Sequence, residues 1–217
     1  MSFLSESEKD GIRDAIRRAE AGTQGEIVSV VARSSDGYRY IPTLWAALVA
    51  LSVPGLFYLW QALTHDGWTL PDTDAQALVG PYPVQVLVFL GLGMLFQLPA
   101  CRLWLVPKSI KHGRAARHAR EQFFLQNLHL TAGRTGVLVF VSLAEHYVEI
   151  IVDQGIANVV DDAEWQETID EFVDHIRKGD VALGFERTIE HCRTVLWKHF
   201  PHEGGKPDEL PNHLIEI

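Results

Sequence analysis

Residues 133–162 read GRTGVLVFVSLAEHYVEIIVDQGIANVVDD and hold two apolar runs joined by a short polar segment. The runs, 136–142 and 147–152, are rich in Val, Ile and Phe and have the length of typical strands. Because only four residues separate them, we expect an antiparallel hairpin. The second run stops at Asp153, which a glycine and two more acids follow. This acidic end is either a chemical site or only the polar end of a sheet.

Two amphipathic helices are predicted after the hairpin. Asp161 and Glu164 stand three residues apart, as in a capping box, before a helix that Gly179 ends. A last helix runs from about 180 to 200, and the tail, 202–217, is predicted to be a loop.

The start of the chain supplies one helix and one strand. Ser5 and Glu8 form a capping-box pattern before a helix, and a strand is predicted over about 26–33. One helix and one strand cannot bury a core alone. We therefore predict that residues 1–40 and 107–217 form one discontinuous domain, an α/β fold with a small mixed sheet sandwiched by helices.

Two long apolar segments separate these pieces. Residues 41–63 carry no charge, and residues 84–106 carry only Arg102, close to one end. About 20 apolar residues at ~1.5 Å each cross a hydrocarbon core of ~30 Å. Residues 41–106 are therefore predicted to be a transmembrane helical hairpin that interrupts the domain. The alternative is a pair of buried core helices, although core helices of this length usually keep a polar face.

Charge flanking the hairpin predicts its orientation. The connecting loop, 64–83, holds Asp66, Asp72 and Asp74 and no Lys or Arg, while basic residues lie outside the hairpin on both sides. The positive-inside rule then places both termini in the cytoplasm of a bacterial cell, with the chain integral to the cytoplasmic membrane and the lipid bilayer as its first partner. Other membrane proteins and a second copy of the chain are further candidate partners.

The overall charge limits the other partners. A formal net charge of −9 argues against nucleic acid, because phosphate contacts need clustered Lys and Arg. From Glu145 onward there are 17 acids against 6 Lys or Arg. The two cysteines, Cys101 and Cys192, stand in very different surroundings and are not expected to form a disulfide.

The acids near the hairpin are candidate metal ligands. Asp153 leaves the second strand, Asp161 and Asp162 precede a helix, and Glu26 begins the first strand. Several carboxylates on one rim suit Ca²⁺ or Mg²⁺, which prefer oxygen ligands. Glu26 belongs to the rim only if the first strand begins at that end of the sheet. The structural alternative explains Asp161 as a helix cap and Asp153 as a strand-end acid.

Short motifs in both soluble pieces resemble the TPM domain family, in particular its bacterial membrane subgroup, in which two spans interrupt the domain. The matching residues are Thr23-Gln24-Gly25-Glu26-Ile27-Val28, Gly133-Arg134-Thr135-Gly136-Val137-Leu138, Ala144-Glu145, Val152-Asp153-Gln154-Gly155-Ile156, Trp165, and His199-Phe200-Pro201 with Glu209-Leu210-Pro211. The resemblance implies an α/β/α sandwich. It also implies an acid phosphatase activity, which belongs to the plant-type members, whereas other members resemble metal-binding modules without established catalysis.

Two functions follow from these observations. The first is a membrane-anchored, non-catalytic binding or assembly module, stabilised by a divalent metal. The second is a metal-assisted phosphatase that hydrolyses phosphoesters at the acidic rim. The sequence contains no Walker A loop, G-x-S-x-G or H-E-x-x-H, and Gly155 and Ala157 occupy positions where an EF-hand needs ligands. Transport is weaker, because two spans without buried charge offer no pathway unless the chain oligomerises.

Overall fold

The computed structural model describes residues 4–64, 80–201, 210 and 213–217. The chain divides into two compact units, Met1–Asp36 with Ser109–Ile217, and Gly37–Lys108. In chain order, the helices are α1 Glu6–Glu20, α2 Tyr40–Thr64, α3 Pro81–Phe96, α4 Pro99–Leu105, α5 Lys108–Leu125, α6 Gln154–Ala157, α7 Ala163–Lys178 and α8 Val181–His199. The strands are β1 Glu26–Ala32, β2 Gly136–Ser142, β3 Tyr147–Val152 and β4 Leu214–Glu216, and a 3₁₀ turn covers Leu128–Leu130.

The first unit is built on one mixed sheet with the strand order β3-β2-β1-β4. β1 runs parallel to β2 and to β4, whereas β2 and β3 form the predicted antiparallel hairpin. Every residue of β1 and β2 is buried. Both strands are mainly apolar, as expected for strands that helices cover on both faces of the sheet. The predicted α/β class, a small mixed sheet flanked by helices, is confirmed.

The two faces of this sheet carry different helices. The helices α1, α7 and α8 cover one face. Their side chains, such as Ile16, Phe172 and Leu196, pack against residues of the two central strands: Ile27, Val31, Val137, Val139 and Val141. On the other face α5 contributes Ala119 and Phe123 to a cluster with Val28, Val30, Ala32, Leu138 and Phe140. This division follows from the alternation of side chains along a strand. Each face therefore has its own core.

Two of the predicted helix signals are confirmed. Glu8 N–H donates to Ser5 Oγ at 3.3 Å, and Ser5 N–H donates to Glu8 Oε2 at 2.7 Å, which completes the capping box of α1. Gly179 ends α7 in the left-handed region at φ 86°, a conformation that glycine adopts without steric cost.

The predicted capping box of Asp161 and Glu164 is wrong. The helix α7 begins at Ala163, and the carboxylate of Asp161 accepts from Ala163 N–H at 3.1 Å. Glu164 N–H instead donates to the main-chain oxygen of Asp161 at 3.0 Å. The aspartate forms a local turn with its own backbone, which competes with capping because the side chain is short.

The end of the chain is a strand and not the predicted loop. Leu214 to Glu216 pair in parallel with Ser29 to Val31 and extend the sheet beyond β1. Three residues are too few for an alternating pattern to be visible in the sequence. The other parts of the predicted loop, 202–209 and 211–212, lie outside the described residues.

The second unit is helical, and α2 packs against α3. Among the described residues, α2 is the one helix long and apolar enough to cross a membrane. The predicted second span is not one helix, because α3 ends at Phe96 and α4 starts at Pro99. Leu98 is extended at ψ 134°, as expected for a residue before proline. The predicted external loop with Asp66, Asp72 and Asp74 falls in residues 65–79, outside the described part.

The packing of α7 against α8 makes a stability prediction at Gly184. A Cβ at this position would lie 2.2 Å from the buried ring of Phe172. Gly184→Ala should lower the free energy of unfolding by about 1–3 kcal/mol, the usual cost of overpacking a core. Urea unfolding of the detergent-purified protein measures it. The matched control is Gly113→Ala in α5, where a Cβ meets open space and the change should be neutral or stabilising. Equal unfolding free energies for the two variants would contradict this packing.

Candidate functional site

Asp153 lies at the end of the sheet where β1 and β2 begin. Its amide donates to Gly136 O at 2.9 Å, and Gly136 pairs in register with Glu26. β3 runs antiparallel to β2, and β1 runs parallel to β2, so the carboxyl end of β3 lies at the end of the sheet where β1 and β2 begin. Glu26 was a candidate ligand only if the first strand began at this end of the sheet. The strand does begin here, so Glu26 shares this end with Asp153. We call this region the Asp153 end.

The carboxylate of Asp153 is buried and accepts its hydrogen bonds through Oδ1, while among the described residues Oδ2 has only the nearby charge of Arg134. The residue is only 5% exposed. Arg134 reaches it with Nε at 2.8 Å from Oδ2 and with Nη2 at 3.0 Å from Oδ1. Oδ1 also accepts from Gln154 N–H at 2.7 Å, which caps α6. Asp153 is thus both the partner of a two-point ion pair and a helix cap.

A close approach of two backbones holds Arg134 in this position. Arg134 adopts φ 53°, in the left-handed region, and its carbonyl accepts from Gly155 N–H at 3.0 Å. A Cβ at residue 155 would lie 2.6 Å from Arg134 O and 2.7 Å from Gly133 O. Only glycine fits this contact, so Gly155 allows the turn at 133–135 to lie against the start of α6.

The other predicted ligands occupy different surroundings. Glu26 is buried at 2% exposure, and its amide donates to Thr135 O at 3.2 Å. Asp161 and Asp162 are exposed in front of α7. Within the described residues, which include all four acids, no three His, Cys, Asp or Glu side chains come together as a metal would require.

The donor set at the Asp153 end does not fit a divalent cation as it stands. Arg134 already contacts both oxygens of Asp153, and its positive charge competes with a metal for the same carboxylate. No metal-dependent step is therefore derived at this end. It stays a prediction that Ca²⁺ or Mg²⁺ binds to these four acids: Asp153, Asp161, Asp162 and Glu26.

A second polar cluster, at the opposite end of the sheet, was not predicted. Glu145, only 5% exposed, lies in the turn between β2 and β3. It accepts from Ser34 Oγ at 2.9 Å, from Ser35 N–H at 3.1 Å and from Ser142 Oγ. Carboxylate acceptors of this kind form strong, charge-assisted hydrogen bonds. We call this region the Glu145 end.

The role of the Glu145 end follows from the chain segments it joins. Ser34 and Ser35 follow β1 directly and lead toward the second unit, whereas Ser142 ends β2. The hydroxyls of Ser35 and Ser142 also bond to each other at 2.8 Å. The cluster fixes the exit of β1 to the hairpin turn. Two signals in the sequence pointed to this cluster: a pair of serines after a buried strand, and Ala144-Glu145 among the residues that resemble the family.

A half-buried pair on β3 has perturbed acidities. Tyr147 O–H donates to Glu149 Oε2 at 3.0 Å, and the ring of His112 lies 5.3 Å from that of Tyr147. Burial raises the pKa of Glu149 above its ordinary value. Burial, and then the charge of Glu149, raises the pKa of Tyr147. The pair is a polar element on the face that α5 covers.

The cysteine on α8 is buried and unreactive. Cys192 is completely buried in the core, and burial raises the pKa of its thiol to about 12. The thiolate is the nucleophilic form, so this side chain cannot act as a phosphatase nucleophile near neutral pH.

The first unit is an α/β domain with a four-stranded mixed sheet and helices on both faces. A model of the TPM domain family matches residues 105–195, which confirms the resemblance for the part of the chain from α5 to α8. Among solved structures, the chain is similar to the NMR structure of BA42 protein from the psychrophilic bacterium Bizionia argentinensis sp. nov.. The TM-score is 0.59 at 20% sequence identity, and the match covers 100% of this chain and 97% of that one. This likeness shows the fold. No curated protein matches the chain.

The contacts of Asp153 predict a structural cost for its loss. Asp153→Ala removes the cap of α6 and leaves Arg134 without its carboxylate, so unfolding should be easier by about 1–3 kcal/mol. Asp153→Asn keeps a capping oxygen and should cost less. Urea unfolding measures both changes, with Asp162→Ala as control, because the exposed side chain of Asp162 makes no capping hydrogen bond. A wild-type stability for Asp153→Ala would refute the structural role.

The raised pKa of Glu149 predicts how stability changes with pH. The folded protein keeps the Glu149 proton at pH values where the unfolded chain has lost it. Stability from this group is therefore lost as pH rises from the ordinary value of 4.5 through the raised value.

Glu149→Gln removes the carboxyl group whose deprotonation lowers the stability of the folded protein. The Tm of the variant should rise relative to wild type between pH 4 and pH 8, measured by thermal unfolding in detergent. Glu167→Gln on exposed α7 removes the same charge and serves as the control. A difference that stays constant with pH would show that Glu149 has an ordinary pKa.

Proposed function

We propose that this chain is a membrane-anchored TPM-like domain that acts as a non-catalytic binding or assembly module. One observation carries the proposal. Asp153, the central acid of the predicted rim, is buried and holds both Arg134 and the first turn of α6. A catalytic carboxylate must reach a substrate or a metal, whereas this one stabilises the joint between a strand, a turn and a helix.

The second unit supports the anchoring part of the proposal. The 25 residues of α2 make a helix about 37 Å long, enough to cross a hydrocarbon core of ~30 Å. Its exposed side chains are mainly apolar and include Leu51, Leu59, Trp60 and Leu63. Such a surface suits lipid better than water. We propose that α2 and the segment 84–106 form the membrane hairpin with both termini cytoplasmic.

Kinked helices fit this proposal. The interruption at Gln97 and Leu98 divides the second apolar segment, yet Gln97 Nε2 donates to Thr43 Oγ1 at 3.2 Å and to Arg39 O at 3.3 Å. These bonds place a polar side chain against the start of α2. Membrane helices tolerate a proline break where neighbouring helices satisfy the polar groups.

Phosphoester turnover tests the non-catalytic role. We expect the detergent-purified full chain to release no phosphate from p-nitrophenyl phosphate above a no-protein control, with or without Ca²⁺ or Mg²⁺. Asp153→Asn is assayed beside it. Metal-dependent turnover in wild type that Asp153→Asn abolishes would overturn the proposal in favour of a metal-assisted phosphatase.

Membrane fractionation tests the anchor in the same preparation. The full chain should stay in the membrane pellet after alkaline carbonate extraction and should be released by detergent. A chain that carbonate releases would be peripheral, and the proposed hairpin would be wrong.

A further inference from the structure

The helix α5 carries a continuous row of positive charge. Five basic residues occur at every third position: Lys108, Lys111, Arg114, Arg117 and Arg120. A single acid, Glu121, follows them. Neighbouring members of the row lie close together on the helix surface. Each step of three residues turns about 60° backwards, so the row winds around the helix: Lys108 and Lys111 are neighbours, whereas Lys108 and Arg117 lie on opposite sides. No Asp or Glu occurs anywhere between 81 and 120. We call this row the basic ridge.

Part of the basic ridge already has protein partners. Arg114 Nε lies 3.3 Å from Asp36 Oδ2, and the charge of Arg120 acts on Glu149. Lys108 and Arg117 are exposed, and Lys111 is half-buried. Within the described ranges, no carboxylate forms an ion pair with any of these three. Three cations of the ridge are therefore left to face a partner outside the fold.

Charge on the two faces of the sheet differs in sign. Five Lys or Arg and one acid lie on α5, which covers one face. The helices of the opposite face, α1, α7 and α8, together carry 12 acids against 9 Lys or Arg. A negatively charged surface is thus attracted on the α5 side and repelled on the other, which sets an orientation as well as an affinity.

The ridge follows the apolar helices directly in the chain. Only Val106 and Pro107 separate the end of α4 from Lys108. Three residues of extended chain span at most about 10 Å. If the apolar segments lie in a bilayer, as the proposed function holds, the ridge starts within about one Debye length of the lipid headgroups.

We infer that the start of the basic ridge binds the anionic phospholipid headgroups of the cytoplasmic leaflet through Lys108 and Lys111, which are neighbours on the first turn of α5. The inference rests on the proposed membrane anchor and adds a lipid partner to it. Each basic residue near such a surface is worth about five-fold in binding. Loss of two should therefore weaken binding about 25-fold.

Native mass spectrometry of the full chain tests the inference. Wild type in detergent is given equal amounts of phosphatidylglycerol and phosphatidylcholine with the same acyl chains. We expect preferential retention of phosphatidylglycerol, about 25-fold weaker in the variant Lys108→Gln/Lys111→Gln. The control variant, Arg17→Gln/Arg18→Gln, removes the same charge from exposed positions of the opposite face and should behave as wild type.

The outcomes separate this inference from the proposed function. Equal retention of the two lipids by wild type, or equal losses in both variants, would overturn the ridge as the binding surface. Thermal unfolding of each variant shows that folding is intact. A chain that stays in the membrane pellet without a lipid preference keeps its anchor and loses only the inference. A chain that carbonate releases loses both.

Discussion

The parallel pairing of β1 with β2 is the constraint on which the rest of the fold depends. The ladder runs from Glu26 opposite Gly136 to Ala32 opposite Ser142, and every residue in it is buried. A parallel pair needs a long crossover and cover on both faces. The second unit lies within that crossover, the helices provide the cover, and β3 and β4 extend the pair on either side. A one-residue slip would exchange the two cores.

At each end of this sheet a buried carboxylate joins neighbouring segments of the chain. Asp153 holds the turn at Arg134 and the start of α6, whereas Glu145 holds the serines that follow β1. Both acids join segments that are distant in the sequence, and both are charge-assisted hydrogen-bond acceptors. Acidic residues at strand ends can thus serve structural needs that resemble, in sequence, those of a ligand site. For Asp153 and Glu145 the contacts, and not the residue types, indicate a structural role.

How much could be predicted from the sequence depended on the range of the interactions. The bounds of β2 and β3 were predicted correctly, because a glycine and a polar turn limit two clear apolar runs. The strand β4 was missed, since three residues carry no pattern. The second apolar segment was predicted as one span, although the structure divides it before Pro99. The Arg134 to Asp153 contact requires a left-handed arginine, which no propensity indicates. Glu145 and Ser35 are 110 positions apart, beyond any local rule.

The long crossover between β1 and β2 also determines the order in which the sheet can form during biosynthesis. Glu26 and Gly136, which face each other in the ladder, are separated by 110 residues. At about 5–20 residues per second, the ribosome makes β2 roughly 5–20 s after β1. All of the apolar helices are made during that interval. The N-terminal helix and strand therefore wait beside the ribosome without a sheet, and the domain can close only after the apolar unit has left the exit tunnel.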